Sequence, residues 1–153
     1  MACKSAIRSS FPIAPACKRY PVIFIDTDVA IALRDVDPDT HRRIAELDER
    51  PVLGMITRIE LENGVNREPA GTNRRRRLLD EMLEDLTVVM FTHADILAYG
   101  AIVYNHGHDR RTTLDRLIAA QAIARDATLI TRNGRDFRRI EGLKLEEWEP
   151  LER

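Results

Sequence analysis

Three carboxylates, Asp26, Glu60 and Asp115, are the side chains of this sequence best suited to catalysis. All three are predicted at the same end of one β-sheet. Carboxylates crowded within a few Å raise one another's pKa and destabilise a fold unless a cation joins them. Mg²⁺ prefers oxygen ligands and keeps several of its waters. We therefore expect Asp26, Glu60 and Asp115 to hold Mg²⁺ or Mn²⁺.

Further polar side chains are predicted at that end of the sheet. Asp28 follows the first strand together with Asp26, and Asn133 and Asp136 follow the fourth strand. None of the four histidines is placed to join this set, which also lacks cysteine, so the donors do not favour Zn²⁺. A divalent ion held by carboxylates lowers the pKa of a bound water and stabilises the leaving oxygen of an in-line displacement. Composition and spacing thus predict a metal-dependent hydrolase of phosphate esters.

Asp115 is the most informative of these acids. In a helix it shares a face with Ile118 and Ala119, which are apolar, and a carboxylate on an apolar face is costly unless something pairs with it. The alternative is an ordinary first-turn acid favoured by the helix dipole, with Thr112 or Thr113 as the cap.

The other site candidates also have purely structural alternatives. Thr57 and Glu60 have the spacing of a capping box, in which Glu60 would only close the start of a helix. Asp26 could cap the helix that follows the first strand. Asn133 and Gly134 form a common turn pair.

Short apolar runs alternate with helical patterns after Pro21, which predicts an α/β domain with a mainly parallel sheet. The predicted strands are PVIFID, PVLGMI, TVVMF, ATLIT and LKLEEW. The predicted helices are VDPDTHRRIAELDER, a helix from Thr57, NRRRRLLDEMLEDL, and helices from about Thr92 to Asn105 and about Thr113 to Arg125. In such sheets ligands bind outside the carboxyl ends of the strands, which is where the acids fall.

The composition suits one globular domain. The 153 residues are 44% hydrophobic and 32% charged, which excludes a disordered or fibrous chain. No apolar run approaches the roughly 20 residues of a membrane span, so we expect no membrane association. With 24 basic and 25 acidic residues, the chain lacks the overall positive charge of many nucleic-acid-binding proteins.

The first twenty residues differ from the rest. They contain both cysteines, Cys3 and Cys17, and two prolines, without a long apolar run. We interpret residues 1–20 as a flexible arm and residues 21–153 as the folded domain. The cysteine spacing is not that of a metal site, which favours a reduced, cytoplasmic setting.

Several separated motifs resemble those of PIN-domain proteins. The segment VIFIDTDVAIALR resembles their opening, and ITRIELENGV looks like their second acidic motif. The segment LDRLIAAQAIARDATLITRNGRDFRRIEGLKLEEW is similar to their C-terminal half. The resemblance extends from about Pro21 to Pro150, and its spacing fits VapC-type toxins and FitB-like relatives of type II toxin–antitoxin systems.

The resemblance implies a three-layer α/β/α sandwich with a mainly parallel central sheet. It also implies a toxin that is a Mg²⁺- or Mn²⁺-dependent endoribonuclease, is inhibited by a cognate VapB-like antitoxin, and usually forms a homodimer. The residues that match the family's motifs are Asp26, Thr27, Glu60, Asp115, Asn133 and Asp136. In this interpretation the three acids hold the metal, Thr27 orients a carboxylate or a water, and Asn133 and Asp136 act around them.

Two departures from the family pattern bear on the charge of the site. Asn133 is neutral at a position where the family places Asp, Asn or Ser, which would weaken a second metal. Asp28 stands where many relatives carry Asn or Ser, and it restores negative charge. Beside Asn133, Arg132 and Arg135 are expected to contact the RNA backbone.

Two other functions fit parts of the sequence. A PIN-like module that binds RNA or an antitoxin without cutting would be compatible with the neutral Asn133. The segment IFIDTDVA also has the strand and Asp-x-Asp pattern of haloacid-dehalogenase phosphatases, with Asp26 as the nucleophile. Those enzymes need a lysine between their later motifs, whereas no lysine occurs between Lys18 and Lys144.

Overall fold

The computed structural model describes residues 22–149, which form a five-stranded sheet with helices on both faces. The strands are β1 (Ile23–Ile25), β2 (Val52–Gly54), β3 (Val88–Val89), β4 (Thr128–Thr131) and β5 (Lys144–Glu147). The helices are α1 (Thr27–Arg34), α2 (Pro38–Ala45), α3 (Met55–Asn66), α4 (Thr72–Asp85), α5 (His93–His106) and α6 (Thr113–Ile123). The predicted arm, residues 1–20, lies outside the described residues.

The strand order is β3-β2-β1-β4-β5, and all four pairings are parallel. Phe24 of β1 lies opposite Val52 on one side and Leu129 on the other. The chain thus builds outward from β1 through β2 and β3, and then returns to the other side of β1. The order reverses between β1 and β4, and a crevice at the carboxyl ends forms at such a point.

Alternation along the strands divides the core between the two faces of the sheet. Ile25, Leu53 and Ile130 are fully buried on one face, where they belong to a cluster with residues of α1, α3 and α4. Phe24 and Leu129 face the other way, into a cluster built mainly with α5 and α6. The predicted three-layer α/β/α sandwich is therefore confirmed, with a sheet that is entirely parallel.

Two helix starts differ from the sequence prediction. Helix α1 begins at Thr27, directly after β1, where the sequence pattern indicated capping residues but no separate helix. Its apolar side chains Val29, Ala30 and Leu33 have helical spacing and are buried. Helix α3 begins at Met55, earlier than the predicted Thr57, because β2 passes directly into it at Gly54.

No helix within residues 22–149 combines the length and the apolar character that crossing a membrane would require.

Candidate active site

Asp26 lies where the strand order reverses. Its backbone N–H donates to the carbonyl of Ile130 at 2.9 Å, which extends the pairing of β1 with β4. Its carboxylate accepts hydrogen bonds from the backbone N–H of Thr27 at 2.7 Å and from the hydroxyl of Thr131 at 2.8 Å. Asp26 is therefore the N-cap of α1, and it is also a buried carboxylate at the carboxyl end of β1.

Asp28 joins the first turn of α1 to the segment after β4. Its carboxylate accepts from the backbone N–H of Val29 at 2.6 Å and from that of Arg132 at 3.0 Å. Burial raises the pKa of Asp28, although these hydrogen bonds oppose the shift. Asp28 thus adds negative charge beside Asp26 and also fixes the position of the β4 segment.

Glu60 reaches the site from α3. Its carboxylate accepts a hydrogen bond from the hydroxyl of Thr27, so one threonine contributes its N–H to Asp26 and its O–H to Glu60. The capping-box alternative is wrong, because the N-cap of α3 is Gly54 and no side chain caps this helix. Thr57 is instead buried in the first turn, and its hydroxyl has no hydrogen-bond partner within the described part of the chain.

A glycine is required at position 54 by a close approach. A Cβ there would lie 2.5 Å from the side-chain oxygen of Gln121, which is buried on α6. The contact lets α6 pack against the junction of β2 and α3. Since Asp115 begins α6 and Glu60 lies on α3, this junction brings the two acids to the same side of the molecule.

Asp115 is half-buried in the first turn of α6. Burial raises its pKa to about 6, and repulsion from Asp136, Glu60 and Asp28 adds to the shift. The threonine at the N-cap, Thr112, makes no side-chain capping bond. Ile118 and Ala119 are buried below Asp115, as the helical spacing predicts.

Asn133 and Asp136 lie around a short 3₁₀ turn, Gly134–Asp136, that follows β4. The side-chain amide of Asn133 donates to the carboxylate of Asp136, and its backbone N–H donates to the Thr131 hydroxyl at 3.0 Å. Gly134 packs against β5, where the carboxylate of Glu147 occupies the space that a Cβ at position 134 would enter. Asn133 and Gly134 therefore do form a turn, as the structural alternative predicted. The carboxylate of Asp136 in the same turn repels that of Asp115.

The site has a strong excess of negative charge. Burial raises the pKa of Asp26 to about 7, and repulsion from Asp28 and Asp115 contributes to the same shift. Within residues 22–149, no lysine or arginine forms an ion pair with Asp26, Glu60 or Asp115. Negative charge gathered without a counter-ion favours binding of a cation.

The donor set fits Mg²⁺ or Mn²⁺ in chemistry, since it consists of carboxylate oxygens oriented by threonine hydroxyls and backbone N–H groups. In the part of the chain that the structure describes, however, no three Asp, Glu, His or Cys side chains converge closely enough to hold one ion directly. Ligation by these acids would therefore involve waters between carboxylate and ion, as Mg²⁺ sites often do.

The two arginines expected to contact RNA differ in their surroundings. The guanidinium of Arg132 donates to Asp37 at 3.0 Å and also to the hydroxyl of Thr40, so it joins the β4 segment to the start of α2. Arg135 is exposed and makes no hydrogen bond or ion pair with other described residues. Arg135 is thus the more available of the two for a phosphate.

Thr131 is a residue of the site that the sequence analysis missed. Its hydroxyl donates to Asp26 and accepts from the Asn133 N–H. Asp26 and Thr131 are separated by 105 positions, so only the pairing of β1 with β4 brings them together. Asp28 was recognisable from the Asp-x-Asp spacing, and the structure adds its bond to the β4 segment.

Comparison with known proteins gives concordant results. Residues 23–143 match the PIN domain. Ribonuclease VapC2 from Rickettsia felis is 28% identical over 141 residues, which cover 84% of this chain and 98% of that protein.

Solved structures agree with the sequence match. VapBC2 from Rickettsia felis, bound to a DNA fragment from its promoter, gives a TM-score of 0.73 at 27% identity, over 84% of this chain and 99% of the other. DNA-bound VapBC from Salmonella typhimurium gives a TM-score of 0.74 at 25% identity, with the same coverage. The match leaves the haloacid-dehalogenase alternative without support. A family match that covers most of the chain, joined to these two structures and to an acidic site at the sheet's switch point, shows that the chain belongs to the PIN-domain family.

Proposed function

We propose that this chain is an endoribonuclease toxin of the VapC type that hydrolyses RNA phosphodiesters and is neutralised by a VapB-like antitoxin. The proposal is supported by the similarity to Ribonuclease VapC2 and to chains from VapBC complexes. An RNA substrate and an antitoxin partner would place this activity in the cytoplasm.

The observation that carries the proposal is the unpaired acidic site at the carboxyl ends of β1 and β4. The raised pKa values of Asp26, about 7, and Asp115, about 6, reflect carboxylates that burial and mutual repulsion hold in an unfavourable state. Strongly perturbed acids in a crevice are typical of functional sites. Glu62, Asp95 and Glu147, which lie elsewhere in the described structure, are instead paired with arginine.

We propose that Asp26, Glu60 and Asp115 hold Mg²⁺ or Mn²⁺. Such an ion supplies Lewis-acid stabilisation of a phosphodiester and makes water more acidic. Thr27 would fix the orientation of two ligands at once, since its N–H binds Asp26 and its hydroxyl binds Glu60.

The turn after β4 supplies the remaining proposed site residues. Asn133 would hold Asp136 beside Asp115 through its amide. Arg135 would contact the RNA backbone, and Arg132 would do so only if its guanidinium kept a donor free while bound to Asp37. The negative charge of this turn would then come from Asp136, because Asn133 is neutral.

A homodimer stays a prediction for this chain. Helix α5 exposes Ile96, Leu97 and Tyr104, with Tyr104 at 90% of its full accessibility. Apolar side chains grouped on one helix are typical of association surfaces. Light scattering of the purified chain would test the prediction, with a dimer mass expected and a monomer mass contradicting it.

The ribonuclease proposal can be tested with purified protein and total bacterial RNA. We expect the wild type to produce new 5′ ends at a few sites in Mg²⁺ or Mn²⁺, and none in EDTA. Asp115→Asn should reduce cleavage by orders of magnitude without unfolding the chain. Asp48→Asn is the matched control, since Asp48 is exposed and precedes β2, at the amino end of the sheet.

The same experiment separates the nuclease from a non-catalytic binding module. A pure binder would retain RNA equally well in EDTA, would not need Asp115, and would generate no new ends. Cleavage by Asp115→Asn at the wild-type rate, with a normal melting curve, would exclude Asp115 as a metal ligand.

A further inference from the structure

A cavity of about 440 Å³ adjoins the acidic site, and three of the side chains that line it are arginines. It lies between the end of α5, the start of α6 and the turn after β4. The polar residues that line it are His106, Thr112, Arg116, Arg135, Asp136 and Arg139. We call these residues the basic pocket. Asp136 belongs to both regions, because it lines this cavity and also repels Asp115.

The arginines of the basic pocket lack carboxylate partners. Arg135 and Arg139 are exposed, and neither makes a hydrogen bond or ion pair with other residues of the 22–149 range. Arg116 donates only to the backbone carbonyl of Gly107 and forms no ion pair in the described structure, although Asp109 attracts it at longer range. By contrast, Arg138 in the same segment is paired with Glu147 at 2.6 Å. Like charges gathered in one cavity attract an anion.

The shape and chemistry of the basic pocket suit a phosphate group. A guanidinium presents a planar set of N–H donors that matches two phosphate oxygens. Thr112 is the N-cap of α6 and makes no side-chain capping bond, and this helix end also favours an anion. A volume of about 440 Å³ exceeds what one phosphate needs and falls within the range of sites for larger ligands.

The acidic site creates a need for such a pocket. Asp26, Asp28, Glu60 and Asp115 repel a phosphodiester, so affinity for an RNA strand has to come from cationic groups outside them. The basic pocket borders this site, because Thr112 and Arg116 flank Asp115 on α6 and Asp136 repels Asp115. A strand that crosses the acidic site in this direction would therefore pass over three unpaired arginines.

We propose that the basic pocket binds an RNA phosphate next to the one that is cleaved, with Arg116, Arg135 and Arg139 as its ligands. The inference rests on the proposed ribonuclease function. It assigns part of the RNA affinity to residues of α6 and of the turn after β4. The role of Arg135 as an RNA contact is thereby extended to a defined site with two further arginines.

The test measures binding apart from cleavage. A short fluorescein-labelled single-stranded RNA is titrated with Asp115→Asn protein over a series of salt concentrations. In this background, Arg135→Gln with Arg139→Gln should weaken binding by about tenfold or more. The slope of log affinity against log salt should fall by about 0.7 for each phosphate that the variant no longer binds. These two side chains make no internal bonds, so their removal should leave the melting temperature unchanged.

Two variants serve as controls. Arg74→Gln removes an arginine that is exposed on α4 and makes no ion pair in the described structure, and it should change neither the affinity nor the slope. Arg139→Lys keeps the charge without the planar fork, so it should retain the salt slope and lose part of the affinity. If the double Gln variant binds RNA as Arg74→Gln does, the proposal is overturned.

Cleavage assays with Asp115 intact distinguish this proposal from the function on which it rests. In an active nuclease, the double Gln variant should raise KM more than it lowers kcat. If the wild type cleaves RNA and the double Gln variant has the same KM, the basic-pocket proposal is rejected and the ribonuclease proposal is kept. RNA binding that depends on the arginines, without any cleavage by the wild type, would reject the nuclease and keep the pocket.

Discussion

Glu62 and Asp26 are both carboxylates of this domain, yet their surroundings move their pKa values in opposite directions. Glu62 accepts hydrogen bonds from Arg58 at 2.8 Å and from Arg76, which lower its pKa to about 2. Asp26 is buried beside Asp28 and Asp115, and its pKa rises to about 7.

The difference shows where this chain leaves negative charge uncompensated. Helices α3 and α4 are joined on the surface by paired charges, each of which contributes at most about 1 kcal/mol. At the carboxyl ends of β1 and β4, buried acids repel one another and reduce stability. A cation would relieve that repulsion. The carboxylates that destabilise the fold are therefore also the ones best placed to bind a metal.

Replacing Asp26 should have the largest effect. Asp26→Asn should reduce the cleavage rate by orders of magnitude. It should nevertheless raise the melting temperature in EDTA near pH 8, because the amide removes a buried charge and still caps α1. Cleavage of bacterial RNA and calorimetry are the measurements. Asp48→Asn, the surface control, should alter neither, and a lower melting temperature for Asp26→Asn would contradict the comparison.

The stability of the metal-free protein should fall as the pH rises from about 4 to about 7. The folded pKa values of Asp26 and Asp115, about 7 and about 6, exceed their usual 3.8, so the folded state holds protons that the unfolded state has released. Their contribution to stability is full below about pH 4 and is lost through pH 6 to 7. The loss is on the order of a few kcal/mol and comes mostly from the buried Asp26, because solvent screens the half-buried Asp115.

The pH effect can be assigned with one variant. Melting curves in EDTA should show a shallower pH dependence for Asp26→Asn than for the wild type. Glu62 does not affect this comparison, because it is present in both proteins and its own titration cancels from the difference. Parallel pH profiles for the two proteins would show that Asp26 does not carry the effect.

Mg²⁺ should raise the melting temperature of the wild type. A ligand that binds only the folded state contributes about 2.7 kcal/mol at 100 times its Kd. For a domain of this size, we expect the melting temperature to rise by about 2–4 °C per kcal/mol. Asp115→Asn should lose most of this rise, whereas Asp48→Asn should keep it. Equal shifts in all three proteins would place the ion elsewhere.

Neutralising Glu62 should have the smallest effect on folding stability. It should lower the stability, whereas neutralising Asp26 should raise it. Glu62→Gln removes the partner of Arg58 and Arg76 and should lower stability by less than about 1 kcal/mol, since these charges are partly exposed. Cleavage should not change. Urea unfolding at low and high salt would measure the loss, which should be smaller at high salt.

The order of strands and helices could be largely predicted from the sequence. Apolar runs such as PVIFID and ATLIT have the composition of buried parallel strands, and the acids after them had to lie at one edge of the sheet. The strands occur where they were predicted, although β3 has only two residues. Helix α1 was missed as an element because its eight residues follow β1 without a loop.

Contacts between distant residues could not be predicted. The Thr27 hydroxyl reaches Glu60 only because α1 and α3 are adjacent, and local spacing suggested instead that Glu60 caps its own helix. Arg132 was assigned to RNA for its charge, whereas Asp37, which binds it, is 95 positions away. Sequence patterns indicate which residues are polar and which end of the sheet they reach, but not which partner satisfies them.

The dual position of Asp26 has a consequence for how this sequence can change over time. The carboxylate that belongs to the proposed catalytic set is also the N-cap of α1. A copy of the gene that drifts away from catalysis is therefore not free at this codon, because most replacements would also remove the signal that starts α1. Asn, Ser and Thr would preserve the helix start without the charge. Inactive descendants that still fold should carry one of these at position 26, and surveying natural variants at that codon would test the constraint.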